Sequence, residues 1–293
     1  MMRRSFSYRV FSVANHLFLV LISLLCILPL LHILAVSLSS KAAATANIVK
    51  FWPVELTFDA YRLTIENSFF IGSLWNSIER TVLGTLISMV LCITAAYALS
   101  KENRVFPGRT FYSWFFIFTM LFSAGLIPSY LVVTNLGIKN TIWALVLPGA
   151  VSVYNMVLML NFFRGIPKDL EEAAFMDGAG HFVTLWKVYL PLSMPSVATL
   201  SLFSMVGNWN AWFDGLIYLN NAQDYPLATL LQQLTAGIDM STSSAVNADA
   251  LKNIAQRTVK AAQIFLSMIP ILIVYPFLQR YFVQGMTLGS VKE

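Results

Sequence analysis

Six long apolar runs limit how this chain can fold. They occupy residues 17–38, 81–99, 111–134, 142–163, 195–219 and 261–282. An α-helix of about 20 apolar residues crosses a bilayer, because it must span roughly 30 Å of hydrocarbon. Backbone groups in lipid must be satisfied within the segment, and a helix does this. The runs therefore predict an all-α, polytopic membrane protein with six transmembrane helices.

The charge content agrees with a membrane protein. Of the 293 residues, 57% are hydrophobic and 11% are charged, whereas soluble domains carry about 25% charged residues. The net charge of +5 is typical of basic loops that set topology and touch membrane lipid, so no nucleic-acid partner is expected. Cys26 and Cys92 lie within apolar runs, and the three histidines are far apart in sequence. Neither a disulfide framework nor a metal site is predicted.

Basic residues set the predicted orientation. Residues 1–16 carry three arginines, and the run that follows is longer than the apolar part of a signal peptide, about 7–15 residues. We therefore expect a retained anchor with its N-terminus in the cytoplasm. The basic loop between the second and third runs is also cytoplasmic by the positive-inside rule. Six spans then make residues 17–283 the transmembrane domain, residues 220–260 a long external loop and residues 284–293 a cytoplasmic tail.

A polar segment at residues 164–191 interrupts the apolar pattern and falls in the cytoplasm by this count. Asp169 is a candidate N-cap for a short helix, and Glu172 three residues later would close a capping box. Gly178 and Gly180 then allow a turn that larger residues would strain. A shaped helix and turn outside the lipid indicates a docking site. The alternative is an amphipathic helix lying on the inner membrane surface.

The spacing within this segment resembles that of a known family. The matching pattern is Glu172-Ala173-Ala174, three residues, Gly178, nine residues, Val188, one residue and Leu190-Pro191. This resembles the EAA loop of ABC-importer permeases, which have isoleucine where Val188 stands. The segments at residues 209–212 and 277–285 are similar to the carbohydrate branch, which includes the maltose permease subunits. The resemblance covers most of the chain and implies the type I permease fold.

The resemblance implies that the polar segment is a coupling helix that docks on an ATPase subunit. The residues it assigns to coupling are Glu172, Ala173, Ala174, Asp177, Gly178, Leu190 and Pro191. Glu172 would either contact the ATPase or cap its own loop. No glycine in the chain is followed by lysine, so a Walker A phosphate loop is absent and ATP hydrolysis must reside in another chain.

The resemblance also implies the partners. These are a second, homologous permease subunit, two ATPase subunits that bind ATP and magnesium, and an external or periplasmic solute-binding protein. The assembly would lie in the bacterial inner (cytoplasmic) membrane. We expect this chain to bind no cofactor or metal and to have no catalytic residue.

Polar residues near the end of the fifth run are candidates for the transport pathway, because such groups usually face a cavity or a partner at membrane depth. Five candidates lie close together: Asn208, Trp209, Asn210, Trp212 and Asp214. Their aromatic faces can pack on sugar rings, and their amides and carboxylate can bind hydroxyl groups. An interfacial aromatic belt is the alternative interpretation. Tyr154 and Asn155 are weaker candidates, since buried helix–helix hydrogen bonds explain them equally well.

The carbohydrate branch implies an oligo- or polysaccharide as substrate. The overall pattern, including the C-terminal residues, is similar to permeases for acidic oligosaccharides such as alginate and aldouronate, so a uronate-containing saccharide is expected. Arg62, Arg80 and Lys139 could attract such a polyanion. Gly285 and Gly289 suit an extended tail that reaches toward the ATPases.

Two other functions stay open from the sequence. An ion-gradient-driven secondary transporter would need intramembrane carboxylates, and the runs offer almost none apart from Asp214. A non-transporting membrane protein would use the cytoplasmic segment only as a docking site.

Overall fold

The computed structural model of the chain describes residues 6–236 and 257–290, and within these ranges it consists of helices and turns without strands. The helices are α1 (Phe6–Ser37), α2 (Lys41–Thr45), α3 (Asp59–Ile65), α4 (Ser68–Ser100), α5 (Arg109–Leu121), α6 (Leu126–Asn135), α7 (Ile142–Val146), α8 (Val153–Arg164), α9 (Lys168–Met176), α10 (His181–Thr184), α11 (Leu190–Leu192), α12 (Met194–Asn210), α13 (Phe213–Tyr218), α14 (Leu227–Ala236) and α15 (Arg257–Ser290). A π-helical turn, Leu185–Tyr189, joins α10 to α11, and a 3₁₀ turn, Ala222–Asp224, precedes α14. The predicted all-α fold is confirmed.

Three of the described helices are each long and apolar enough to cross a membrane. They are Val10–Ser37 of α1, all of α4, and Arg257–Pro276 of α15. Two further pairs qualify only as bent units: the chain bends by 114° between α5 and α6, and by 85° between His181–Leu192 and Met194–Asn210. The described part of the chain thus offers three spans, or five if each bent pair is one span, where the apolar runs predict six.

The predicted span at residues 142–163 is two helices rather than one. α7 and α8 have 5 and 12 residues, too few to cross a membrane singly. Pro148 in the gap has no backbone N–H and cannot continue a helical hydrogen-bond ladder. Ser152 is the N-cap of α8, and its hydroxyl oxygen accepts a hydrogen bond from the backbone N–H of Asn155 at 3.4 Å. This corrects the prediction of one continuous helix here.

One compact unit comprises the described residues within 1–71 and 233–269. Ala35 of α1, Ala44 of α2 and Ala261 of α15 belong to one buried cluster in it. The Arg257 guanidinium donates from Nη1 to the Ala44 carbonyl oxygen at 3.1 Å. Small side chains let helix backbones approach closely, which is common among membrane helices.

The second unit comprises residues 72–232 and the described part of 270–293. Its core packs α4 against α8 and the π-helical turn, through residues that include Cys92, Met159, Phe163, Leu185 and Tyr189. This packing holds the C-terminal end of α4 beside the segment that carries α9. The candidate docking site is positioned in this way.

Two segments that the sequence suggests are loop or tail contain helix. α14 lies at the start of the predicted external loop, and its Leu227 and Leu230 are buried. Residues 237–256 of that loop lie outside the described residues, and residues 257–260 form the start of α15. α15 continues to Ser290, so the predicted extended tail is helical as far as that residue. Residues 291–293 are not described.

Candidate functional site

α9 is the helix of the segment predicted to dock, residues 164–191, which we call the docking segment. Pro167 is its N-cap, and no side chain caps the helix start. Asp169 lies inside the first turn, where a negative charge interacts favourably with the helix dipole, and Glu172 is exposed further along. The predicted capping box is therefore wrong. Glu172 consequently keeps its carboxylate on the surface.

A glycine-dependent turn ends α9. Gly178 has φ +82°, in the left-handed region that glycine adopts without strain. Its N–H donates to the Phe175 carbonyl oxygen at 3.0 Å. The Ala179 N–H donates to the Ala174 carbonyl oxygen at 2.9 Å, which completes a Schellman motif. Gly180 has φ −79° and ψ 170°, extended backbone open to any residue, so the turn requires only the first glycine.

The predicted coupling residues lie at or near the surface of this chain. Glu172, Ala173, Asp177, Gly178 and Pro191 are exposed, whereas Ala174 and Leu190 are half-buried. α9 as a whole buries no residue. Large apolar side chains on the docking segment are exposed as well: Met176 is 88%, Phe182 73% and Trp186 54% exposed. Exposed apolar side chains beside acids are typical of a surface that binds another protein.

A buried ion pair ties the docking segment to the end of α4. Lys101 is only 6% exposed, and its ammonium donates to Glu171 Oε1 at 2.7 Å. The Tyr189 hydroxyl donates to the other carboxylate oxygen, Oε2. The Lys101 ammonium also lies 3.8 Å from the Tyr97 ring centroid and 4.1 Å from that of Tyr189. We call Tyr97, Lys101, Glu171 and Tyr189 the Glu171 cluster. No local pattern in the sequence predicts it, because its members come from three separate segments.

The electrostatics distinguish this pair from a second pair nearby. Burial lowers the pKa of Lys101 because it disfavours the charged ammonium, and Glu171 offsets only part of that effect. Lys168 pairs with Glu102 at the surface, with side chains 71% and 58% exposed. Their hydrogen bond and opposite charges raise the pKa of Lys168 and lower the pKa of Glu102. Such an exposed pair contributes little to stability.

The predicted pathway cluster lies at the break between α12 and α13. Arg80 of α4 is 2% exposed and donates from Nη1 to the Ala211 carbonyl oxygen at 2.8 Å. Its Nη2 donates to the carboxylate of Asp214. Thr229 donates its hydroxyl to the Trp212 carbonyl oxygen at 2.8 Å. Carbonyl groups freed by the helix break are thus paired within the protein, which is how membrane proteins tolerate a broken helix.

Asn208 and Trp209, near the end of α12, both lie against neighbouring residues of the protein. Asn208 donates from Nδ2 to the Ser204 carbonyl oxygen at 2.9 Å. Its side chain also lies against Gly84, where a Cβ would be 2.6 Å from Asn208 Oδ1. Trp209 is 9% exposed and lines a cavity of about 180 Å³ formed by α4, α12 and α15. These positions favour a packing role for both residues.

The other pathway candidates differ in exposure. Asn210 and Trp212 are exposed at the helix break. Tyr154 is exposed and Asn155 buried, and both lie in the first turn of α8, outside the break. Asn210 and Trp212 are therefore the side chains of this set best placed to meet a ligand, and the pathway role remains a prediction.

The three cations expected to attract a polyanion differ in their exposure and in the groups they already bind. Arg80 is buried in its ion pair. Arg62 pairs with Glu66 at 2.9 Å on the surface. Lys139 donates to the Tyr130 hydroxyl at 2.5 Å and is half-buried. Across residues 6–236 and 257–290, no group of histidine, cysteine and acidic side chains is placed to hold a metal ion.

The sequence is similar to known transport proteins. The profile of the family described as "Binding-protein-dependent transport system inner membrane component" matches residues 4–288. The chain is 41% identical over 286 residues to Protein LplC of Bacillus subtilis (strain 168), covering 97% of this chain and 95% of that protein. It is 37% identical over 289 residues to the polygalacturonan/rhamnogalacturonan transport system permease protein YtcP of the same strain, covering 97% and 99%.

The fold is also similar to a solved structure. The match is a chain in the crystal structure of a bacterial ABC transporter involved in the import of the acidic polysaccharide alginate. The TM-score is 0.86 at 34% identity, and the alignment covers 96% of this chain and 100% of that chain.

Proposed function

Because the chain belongs to the family of binding-protein-dependent transport system inner membrane components, we propose that it is a permease subunit of an ABC importer for a saccharide. It works with a second, homologous permease subunit, two ATPase subunits and an external solute-binding protein in the bacterial inner membrane. The ATPase subunits bind ATP and magnesium. This chain breaks no bond in the substrate and changes conformation only.

The exposure of α9 is the observation that best supports a function that depends on a partner protein. A nine-residue helix is marginal alone in water, and helices of proteins gain most of their stability from packing. α9 buries no residue in its own chain, so its ordered shape suits packing against another protein. The ATPase subunit is that partner. Closure of the ATPases on ATP then displaces α9 and switches the transmembrane helices between inward-open and outward-open.

The substrate proposal is an acidic saccharide that contains uronate. It is supported by the names of two similar proteins, one concerned with the acidic polysaccharide alginate and the other with polygalacturonan. The exposed Trp212 offers an aromatic face to a sugar ring, and the exposed Asn210 offers an amide to its hydroxyls. Lys139 supplies a positive charge outside the apolar runs.

The test is uptake into proteoliposomes that hold the complete assembly with its binding protein. A labelled uronate oligosaccharide is compared with a neutral oligosaccharide of the same length, with ATP, without ATP, or with only a proton or sodium gradient. We expect ATP-dependent uptake that favours the acidic saccharide. Equal uptake of the two would overturn the acidic substrate alone. Uptake driven by an ion gradient without ATP would establish a secondary transporter instead.

A further inference from the structure

The proposed function requires a mechanical connection between α9 and the transmembrane helices, and the inference below rests on that function. Residues 165–167 and 177–180 join α9 covalently to α8 and α10. Apart from these short links, displacement of α9 moves the rest of the subunit through contacts that resist sliding. A helix without a buried residue has no packed apolar face to supply them. The polar and aromatic contacts of α9 therefore decide how its movement is passed on.

Three side chains of α9 make such contacts. Lys168 pairs with Glu102, but both are exposed, and exposed pairs hold geometry weakly. Phe175 lies edge-on to His181, with ring centroids 5.1 Å apart, and His181 is exposed. Glu171 is different because its side chain is only 15% exposed. Glu171 is thus the least exposed of the three contacts.

Both oxygens of the Glu171 carboxylate are engaged, each by a different element. Oε1 accepts from Lys101, which directly follows α4, and Oε2 accepts from Tyr189, the last residue of the π-helical turn. Two charge-assisted hydrogen bonds, one to each oxygen, fix a carboxylate more firmly than one. Glu171 therefore links α9 to both elements at once.

The two partners of Glu171 are themselves held in place. The Lys101 ammonium sits over the Tyr97 and Tyr189 rings, which pack edge to face with centroids 5.0 Å apart. The Lys101 carbonyl oxygen accepts from Arg109 Nη1 at 3.2 Å. Tyr189 also packs against Phe163 in the core, with centroids 5.4 Å apart. Displacement of Glu171 therefore also displaces Lys101 and Tyr189, which are packed against this core.

The elements reached through Glu171 are parts of candidate spans. Lys101 directly follows α4, which is a candidate span, and the π-helical turn belongs to the bent span His181–Leu192 with Met194–Asn210. π-Helical turns within helices occur often at functional positions. We propose that Glu171 is the positioning residue that passes displacement of α9 to α4 and to this bent span.

The test uses the complete assembly in proteoliposomes and measures saccharide imported per ATP hydrolysed. Glu171→Gln keeps the shape of the side chain and removes its charge. α9 should therefore still dock on the ATPase but lose its ion pair with Lys101. We expect ATP hydrolysis to persist while import per ATP falls about tenfold, the size of a typical coupling between two sites. Lys101→Met should give a similar fall, and the double variant should add little to either single variant.

Glu102→Gln is the matched control, because the pair of Glu102 with Lys168 joins the same two segments at the surface and Glu102 lies outside the docking segment. It should leave import per ATP unchanged. An unchanged ratio in Glu171→Gln would overturn the inference and leave the importer function standing. Loss of the ATPase subunits from both the Glu171→Gln and Lys101→Met assemblies would make the cluster a folding contact, and would also overturn it. Failure of the unsubstituted assembly to couple import to ATP would count against the proposed function itself.

Discussion

Arg80 and Asp214 stand 134 residues apart in the sequence and form an ion pair at the break between α12 and α13. The side chain of Arg80 is 3% exposed and that of Asp214 is 26% exposed. Arg80 also donates to the Ala211 carbonyl oxygen, so one guanidinium holds both the carboxylate and the backbone of the break. A broken helix and a buried cation are each costly in lipid. Here Nη1 and Nη2 of the buried cation pair with a carbonyl oxygen and a carboxylate of the break, which offsets part of both costs.

Asp214→Asn is expected to destabilise the subunit. It leaves the guanidinium of Arg80 buried beside a neutral amide, and removing one partner of a buried pair costs on the order of 3 kcal/mol. Thermal unfolding of the purified assembly in detergent measures the effect. Glu66→Gln, which breaks the exposed pair with Arg62, is the control and should leave the midpoint unchanged. Equal midpoints for the two variants would mean that Arg80 finds another partner.

Gly178→Val is expected to unravel the end of α9 and release the ATPase subunits. A β-branched residue at φ +82° is strained by about 1–2 kcal/mol or more. Among the described residues other than Gly178 and its two chain neighbours, no atom lies within 4 Å of the added Cβ, so the strain comes from the backbone conformation. Retention of ATPase subunits during purification measures docking. Gly180→Val is the matched control, since φ −79° and ψ 170° suit valine; equal loss would point to side-chain bulk instead.

Glu172→Gln is expected to weaken ATPase docking without altering the stability of the permease subunit. The side chain is exposed and does not cap α9, so its carboxylate can contact a partner protein. Co-purification at increasing salt measures the loss, because contacts between exposed charges are screened by salt. A lower unfolding midpoint for the variant would show that Glu172 stabilises its own chain and would contradict the prediction.

The family and the helical class could be predicted from the sequence because they depend on local features. Apolar run length gives the helices, and the resemblance based on the EAA spacing is confirmed by the family match. The Schellman turn explains why glycine stands at position 178. The break near Pro148 shows what the length of an apolar run cannot predict. Hydropathy does not indicate whether the run forms one continuous helix or two.

The long-range pairs could not be predicted, because they depend on which helices meet. Glu171 and Glu172 are adjacent acids, and only the rotation of α9 decides that Glu171 meets Lys101 while Glu172 stays exposed. In the sequence, Arg80 directly precedes the apolar run at residues 81–99 and is a candidate to attract a polyanion. Its pairing with Asp214 requires α4 to lie beside the helix break, which no local pattern reports.

Trp209→Ala and Asn210→Ala should have different effects, although the residues are neighbours. Trp209 is buried against an existing cavity, and its truncation should destabilise the assembly by roughly 3 kcal/mol. Asn210 is exposed, so its truncation should spare stability and lower saccharide uptake. Thermal unfolding and uptake are measured on both variants. Uptake unaffected by Asn210→Ala would remove that residue from the pathway and favour the interfacial-belt interpretation.

Gly84→Ala should displace Asn208, and a second substitution should repair the damage. The new Cβ would stand 2.6 Å from Asn208 Oδ1, a distance that requires one group to move. Asn208 is held by its hydrogen bond to the Ser204 carbonyl oxygen, so it resists the movement. We expect Gly84→Ala to lower the unfolding midpoint, with a cost of about 1–3 kcal/mol for overpacking.

The double variant Gly84→Ala with Asn208→Ala separates packing from transport. Removing the amide makes room for the Cβ, so the double variant should be more stable than Gly84→Ala alone, which is non-additive behaviour expected of residues in contact. If Asn208 serves only packing, uptake recovers together with the unfolding midpoint. If stability recovers while uptake stays low, the Asn208 amide acts on the saccharide, and its contact with Gly84 holds it in position for that purpose.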